Sequence, residues 1–194
     1  MKRLFLLAAF LVLTAFSTSI FEADSIEVIV KGNSEVSISG TTNVNSFSCC
    51  YNIAKLENPI PVSFESNNQK MVFESTALEL ENTCFDCGHK AINKDFNKLL
   101  KTEEYPRIKL KLISIEKTSK TRNTYNARVK IHIANSANTY TFPVKVSKSE
   151  DFHIKGDLSI DLRDYNLQAP KKMMGLIVVH DDIVVNFNLH LKQI

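Results

Sequence analysis

Long stretches of alternating apolar and polar residues constrain this chain more than any other feature. Residues 125–133, 140–146, 152–162 and 183–191 place aliphatic or aromatic side chains at nearly every second position. Because successive side chains of a β-strand point to opposite faces, the pattern predicts strands with one buried face and one wet face. Parallel strands covered on both sides would be apolar throughout. The sequence therefore predicts a mainly β, antiparallel fold.

Less regular strand candidates precede these four, which gives about eight strands in all. Antiparallel strands of this kind can close into a barrel or stack as a sandwich, and closure removes exposed edges.

In residues 107–117 the alternation changes phase, which predicts a β-bulge near Leu112 and Ile113. Pro143 predicts a second bulge or a free edge, because proline cannot donate a ladder hydrogen bond.

One segment departs from the alternation and predicts a short helix. Asn93 is its expected N-cap, and Pro106 ends it, because proline keeps the preceding residue out of helical geometry. The apolar stripe needs a buried partner, so we expect the helix to cap or flank the barrel. The stripe consists of Ile92, Phe96, Leu99 and Leu100.

The first residues have the layout of a secretory signal peptide. Lys2 and Arg3 precede an uncharged apolar run, and small residues follow it. The run is shorter than the ~20 apolar residues that cross a bilayer, which disfavours a membrane anchor. We expect residues 1–19 to be removed and residues 20–194 to form one periplasmic or secreted domain without stable membrane insertion. The remaining charge is 22 basic against 21 acidic residues without a basic patch, so nucleic-acid binding is not expected.

Four cysteines lie in the part of the chain that is expected to be exported: Cys49, Cys50, Cys84 and Cys87. An even number in an oxidising compartment favours disulfides. A bond between the two neighbours would be strained, so two links between the segments fit best, with Cys49–Cys87 and Cys50–Cys84 as the preferred pairing. The spacing of Cys84 and Cys87 leaves a thiol redox protein open as an alternative. Its neighbours, however, are predicted antiparallel strands rather than the strand–helix unit typical of redox dithiols.

The sequence contains no familiar catalytic motif. G-x-S-x-G and H-E-x-x-H are missing, and five glycines leave no phosphate-binding loop. The five histidines are dispersed. We therefore expect a protein that is not an enzyme and that uses no metal or cofactor.

The segment AINKDFNKLLKTEEYPRIKLKL, residues 91–112, resembles the helix and following strand of the YceI-like, polyisoprenoid-binding family. Residues 125–146, 152–167 and 169–189 are similar to its central hairpin, to its strand that ends in an Arg/Asp–Tyr turn, and to its closing segment. A divergent branch of the family also carries cysteines at two of the four positions. The matching positions are Cys49, Cys87, Phe96, Tyr105, Pro106 and Ile108.

The resemblance implies an extended, lipocalin-like barrel with an apolar tunnel, a periplasmic location, and a long-chain isoprenoid or similar lipid as ligand. The residues alone leave a filled barrel open, which would favour a partner-binding module, and they leave a homodimer open. Arg163, Lys171 and Lys172 are candidates for a head-group contact, although solvated surface cations are the simpler interpretation. The expected tunnel lining is Tyr140, Phe142, Phe152, Ile154, Leu158, Ile160, Val185, Phe187 and Leu189.

Overall fold

Thirteen strands form one sheet in the computed structural model, which describes residues 22–57, 59–67, 69–118 and 122–194. The predicted signal peptide, residues 1–19, lies outside the described residues. The strands are β1 Glu22–Val30, β2 Glu35–Thr42, β3 Ser46–Tyr51, β4 Ile60–Ser66, β5 Lys70–Phe73, β6 Ala77–Glu81, β7 Phe85–Asp86, β8 Arg107–Lys117, β9 Thr124–Ile133, β10 Ser136–Lys148, β11 Phe152–Asp161, β12 Lys171–Lys172 and β13 Ile177–Gln193. The helix α1 spans Lys90–Leu99. Within the described ranges, no helix has the length and apolar character needed to cross a bilayer.

A ring of strands closes the barrel. Antiparallel neighbours follow the order β1–β4–β5–β8–β9–β10–β11–β13, and β13 returns to β1 through pairs such as Val28 with Gln193. Closure depends on the length of β13, which has 17 residues. Its carboxyl-terminal end pairs with β1, and the rest of it pairs with β2. The predicted mainly β, antiparallel barrel is confirmed.

Shorter strands extend the barrel at one end, which we call the upper end. From β13, the strands β2, β3 and β7 continue the sheet in that order, and β6 pairs with the first half of β8 on the other side. A 3-10 turn, Asn82–Cys84, joins β6 directly to β7. The chain itself therefore bridges the two sheet edges at the upper end, while β1, β4 and β5 complete the lower end.

Both irregularities that the sequence predicts are present. The register between β8 and β9 shifts between Leu112 and Ser114, which confirms the bulge. The ladder between β10 and β11 begins at Val144. Pro143, which has no N–H to donate, therefore stands where this ladder ends, as the free-edge alternative expects.

Two clusters of apolar side chains lie inside the barrel. The smaller one, at the lower end, is built around Val28, Val62 and Phe73. The larger one contains Tyr165, which is 0% exposed and stacks on Tyr140 with ring centroids 6.5 Å apart. Tyr165 ends the 3-10 turn that follows β11, so this turn inserts an aromatic ring into the core.

Replacement of Tyr165 by alanine should lower the free energy of unfolding by about 3–5 kcal/mol, because a filled core site loses its ring. Tyr165→Phe should cost less, about 1–2 kcal/mol, because it removes only the hydrogen bonds of the hydroxyl, a long one of 3.5 Å to the carbonyl oxygen of Ile131 and one to the hydroxyl of Tyr140. Urea denaturation followed by circular dichroism measures both changes. Equal losses in the two variants would contradict a role based on packing of the ring.

His132, on the outer face of β9, has a lowered pKa. Burial is the largest cause, and the charges of Lys130 and Lys109 add to it, since each disfavours the protonated ring. The unfolded chain therefore takes up this proton at a higher pH than the folded chain. The stability linked to His132 is fully present above the pKa of an unfolded imidazole, about 6.5. It is lost as the pH falls through the lowered pKa of the folded state.

The free energy of unfolding should thus decrease as the pH falls from about 7.5 to about 5, and His132→Gln should make this decrease shallower. Because the ring is partly exposed, we expect a difference below about 1 kcal/mol. Denaturant titrations at several pH values measure it, with His180→Gln, at an exposed histidine, as the control. The same pH dependence in the wild type and the His132 variant would refute the assignment.

Candidate functional site

An apolar cavity of about 740 Å³ lies in the upper half of the barrel. Its walls are the inward faces of β2, β3, β8, β9, β11 and β13 together with one side of α1. The volume lies in the range of small-molecule sites, about 300–1,000 Å³. The wall residues on the strands include Val36, Ile38, Phe47, Leu110, Ile131, Ile133, Ile160, Ile183 and Val185.

The structure divides the expected lining residues into three groups. Ile160 and Val185 line the cavity. Phe152 is half-buried at the lower end, with the Lys148 ammonium 4.5 Å from its ring centroid. The others belong to the main core or pack against it, and they do not line the cavity: Tyr140, Phe142, Ile154, Leu158, Phe187 and Leu189.

Helix α1 begins one turn earlier than the sequence predicts. Its N-cap is His89, whose Nδ1 accepts a hydrogen bond of 3.2 Å from the backbone N–H of Ala91. The prediction of Asn93 as N-cap is wrong. The side chain of Asn93 instead stabilises the turn before the helix, where its Oδ1 accepts a 2.7 Å hydrogen bond from the backbone N–H of Cys87. The start of the helix is thereby fixed to the segment that leaves β7.

The apolar side of α1 faces the cavity and the upper core. Phe96 packs against Phe85 of β7 with ring centroids 5.2 Å apart, and Leu100 at the C-cap is buried. Ile92 and Leu99 line the cavity. The helix therefore flanks the barrel end, as expected, and forms one wall of the cavity.

A disulfide between Cys49 and Cys87 joins the start of the helical segment to the barrel wall. Cys49 points inward from β3 and lines the cavity. The expected second bridge, between Cys50 and Cys84, is not formed. Adjacent residues of a strand face opposite sides, so Cys50 is exposed on the outside of β3, whereas Cys84 packs against the core. The redox alternative also loses its dithiol, because Cys87 is bonded to Cys49.

Loss of the disulfide should lower the free energy of unfolding by about 3–4 kcal/mol, because the bond closes a loop with a sequence separation of 38 residues. Cys87→Ser should also speed hydrogen exchange in α1 more than in β9 or β10. Cys50→Ser, at an exposed and unbonded thiol, is the matched control and should leave both readouts unchanged. A Cys87→Ser protein as stable as the control would contradict the anchoring role.

Polar side chains surround the mouth of the cavity. Lys94 and Lys98 stand one helical turn apart on α1, and Asn45 and Ser46 face them from the loop side of β3; all four are exposed. The sequence does not distinguish these two lysines from other exposed lysines, although their i, i+4 spacing places them on one face of the predicted helix. The arrangement is an apolar interior with a polar rim that carries both signs of charge, because Asp95 of α1 lines the cavity beside Lys94 and Lys98.

The three cations expected near the mouth have other surroundings. The guanidinium of Arg163 donates to both carboxylate oxygens of Asp161, at 2.5–3.0 Å, and this contact raises the pKa of Arg163. Lys171 and Lys172 form β12, directly after Pro170, which lines the cavity. In the described part of the chain, no three His, Cys, Asp or Glu side chains are placed to hold a metal ion.

Comparison with known proteins gives a consistent result. The family model described as YceI-like domain matches residues 28–191. The crystal structure of BcnA from Burkholderia cenocepacia is similar, with a TM-score of 0.66 at 22% identity over 84% of this chain and 99% of that chain. A polyisoprenoid binding domain from Saccharophagus degradans, implicated in plant cell wall breakdown, gives 0.61 at 11% identity over 86% and 98% of the two chains. No curated protein sequence matches the chain.

Proposed function

Because the chain belongs to the YceI-like family, we propose that it is an exported binding protein whose barrel holds the apolar chain of a lipid. The observation that carries the proposal is the cavity of about 740 Å³, which has apolar walls and a polar mouth. An isoprenoid is the favoured ligand class, because the similar Saccharophagus degradans domain is described as polyisoprenoid binding. Carriage, storage and sensing of the lipid would all use this site.

The driving force for binding is the removal of apolar ligand surface from water. Each buried methylene contributes about 0.8 kcal/mol, and a dry apolar cavity readily accepts apolar guests. The rim suits the other end of an amphiphile. Lys94 and Lys98 would meet a polar or anionic head group, whereas Arg163 already has Asp161 as its partner.

The periplasm or the cell exterior is the proposed place of action. The leader-like residues 1–19 support it. The Cys49–Cys87 disulfide also supports it, since such bonds persist in oxidising compartments. The proposed role is binding and requires no catalytic group. A solid barrel that serves only as a partner-binding module does not agree with a cavity of this size.

The proposal predicts a bound lipid in protein purified from its own host. Native mass spectrometry of the envelope fraction should show an added mass that organic extraction removes. Val185→Trp, which places an indole inside the cavity, should weaken binding at least tenfold, because ligand and indole compete for the same space.

The matched control is Val184→Trp, which puts the same side chain on the outer face of the same strand. This variant should bind like the wild type. An apo mass from the host, together with no uptake of added isoprenoid or fatty alcohol, would refute the proposed function. Equal loss of binding in the two tryptophan variants would refute the assignment of the site.

A further inference from the structure

We propose that the aromatic pair Phe142–Phe187 is the floor of the cavity and sets the maximum length of the apolar chain that the protein accepts. The inference rests on the proposed lipid-binding function and adds the size class of the ligand. It makes Phe187 a residue that determines specificity without contacting a head group.

The cavity ends partway along β13 and partway along β9, two strands of the ring that β10 and β11 separate. On β13, Val185 lines it and Phe187, the next inward residue, does not. On β9, Ile131 lines it and Val129 does not. The next inward residue is thus Val129 on β9 and Phe187 on β13, and the ring of Phe187 reaches Phe142 of β10.

The two rings make a firm floor. Phe142 and Phe187 pack edge to face with centroids 5.8 Å apart, which is a favoured geometry for aromatic pairs. Phe187 is paired across the sheet with Gly156, and its ring leans over this glycine. A Cβ at position 156 would lie 2.8 Å from Cζ of Phe187 and 3.2 Å from a methyl group of Val144. The missing side chain therefore gives the ring room to reach from β13 toward β10.

Packing is continuous below this floor. Leu112, Ile115 and Leu191 contact both the main core and the lower cluster, so side chains connect the floor to the lower end. A chain that enters at the mouth consequently has to stop at Phe187. In this proposal the apolar tunnel is closed at its lower end.

The volume bounds the length of that chain. At about 30 Å³ for each group the size of a water molecule, a cavity of 740 Å³ corresponds to about 25 carbon atoms, or about five isoprene units. When a ligand leaves a bilayer, units inside the cavity exchange one apolar environment for another. Units that do not fit must enter water at the mouth, which is unfavourable in proportion to their apolar area. Uptake from a membrane should therefore fall steeply above the limiting length.

The test is uptake of prenyl alcohols of about three to nine isoprene units from phosphatidylcholine vesicles, measured on protein separated from the vesicles. Wild-type protein should take up the shorter alcohols, and its uptake should drop at least about tenfold within two units beyond the limit. Phe187→Ala should move the limit up by about one unit, because the space of the ring is added below the cavity. Phe187→Leu, a milder change in case the alanine variant unfolds, should move it in the same direction by less.

Phe73→Ala is the matched control, since it removes an equally large ring from the lower cluster, away from the cavity. It should keep the wild-type limit although it is destabilised. An unchanged limit in folded Phe187 variants overturns the inference and leaves lipid binding standing. A wild-type protein that takes up no prenyl alcohol overturns the proposed function itself.

Discussion

The pairing of β13 with the three longer strands β1, β2 and β11 is the interaction on which the rest of the structure depends. One edge of β13 bonds to β11 over most of its length, and the other bonds to β2 above and to β1 below. A sheet of this size would otherwise leave unpaired N–H and C=O groups along two long edges. With β13 in place, the barrel closes below, and the upper strands have a template on which to build the cavity wall. The position of the helix also depends on β13. β13 pairs with β2, β2 pairs with β3, and Cys49 of β3 is bonded to Cys87 at the start of the helical segment.

The lower half of the barrel is filled and the upper half contains the cavity, because their inward side chains differ in size. The same alternation runs along each strand, so every second residue points inward at all levels. In the lower half the inward residues include paired phenylalanines, such as Phe64 with Phe73 and Phe142 with Phe187, and these rings fill the cross-section. In the upper half most of them are aliphatic side chains such as Ile131 and Val185, which leave space at the centre. At this end the chain passes from β6 to β7 through a 3-10 turn, so no full-length strand crosses the space there.

Sequence patterns predicted the strands, the bulge after Leu112 and the existence of the helix, because each is determined by local periodicity or by backbone chemistry. They could not place the cavity. Ile160 and Val185 were expected to line it together with Phe142 and Phe187, and only the three-dimensional register separates wall from floor. The helix start was misplaced because Asn93 is suited to capping, but its side chain makes a tertiary bond to Cys87 instead. The lysines of the rim were missed because a solvent-facing lysine looks the same whether or not a cavity opens beside it.

The closure between β1 and β13 has a consequence for how the molecule is assembled. Val28 and Gln193 are partners although 165 positions separate them, so the last ladder joins the two extremes of the chain. Contacts this distant in sequence slow folding, because a large loop must be ordered before they form. Until that happens, β1 and β11 each retain an open edge that can recruit a strand of another molecule. The folding chain should therefore be most prone to aggregate just before β13 pairs, and a chaperone that covers exposed strand edges would act in that interval.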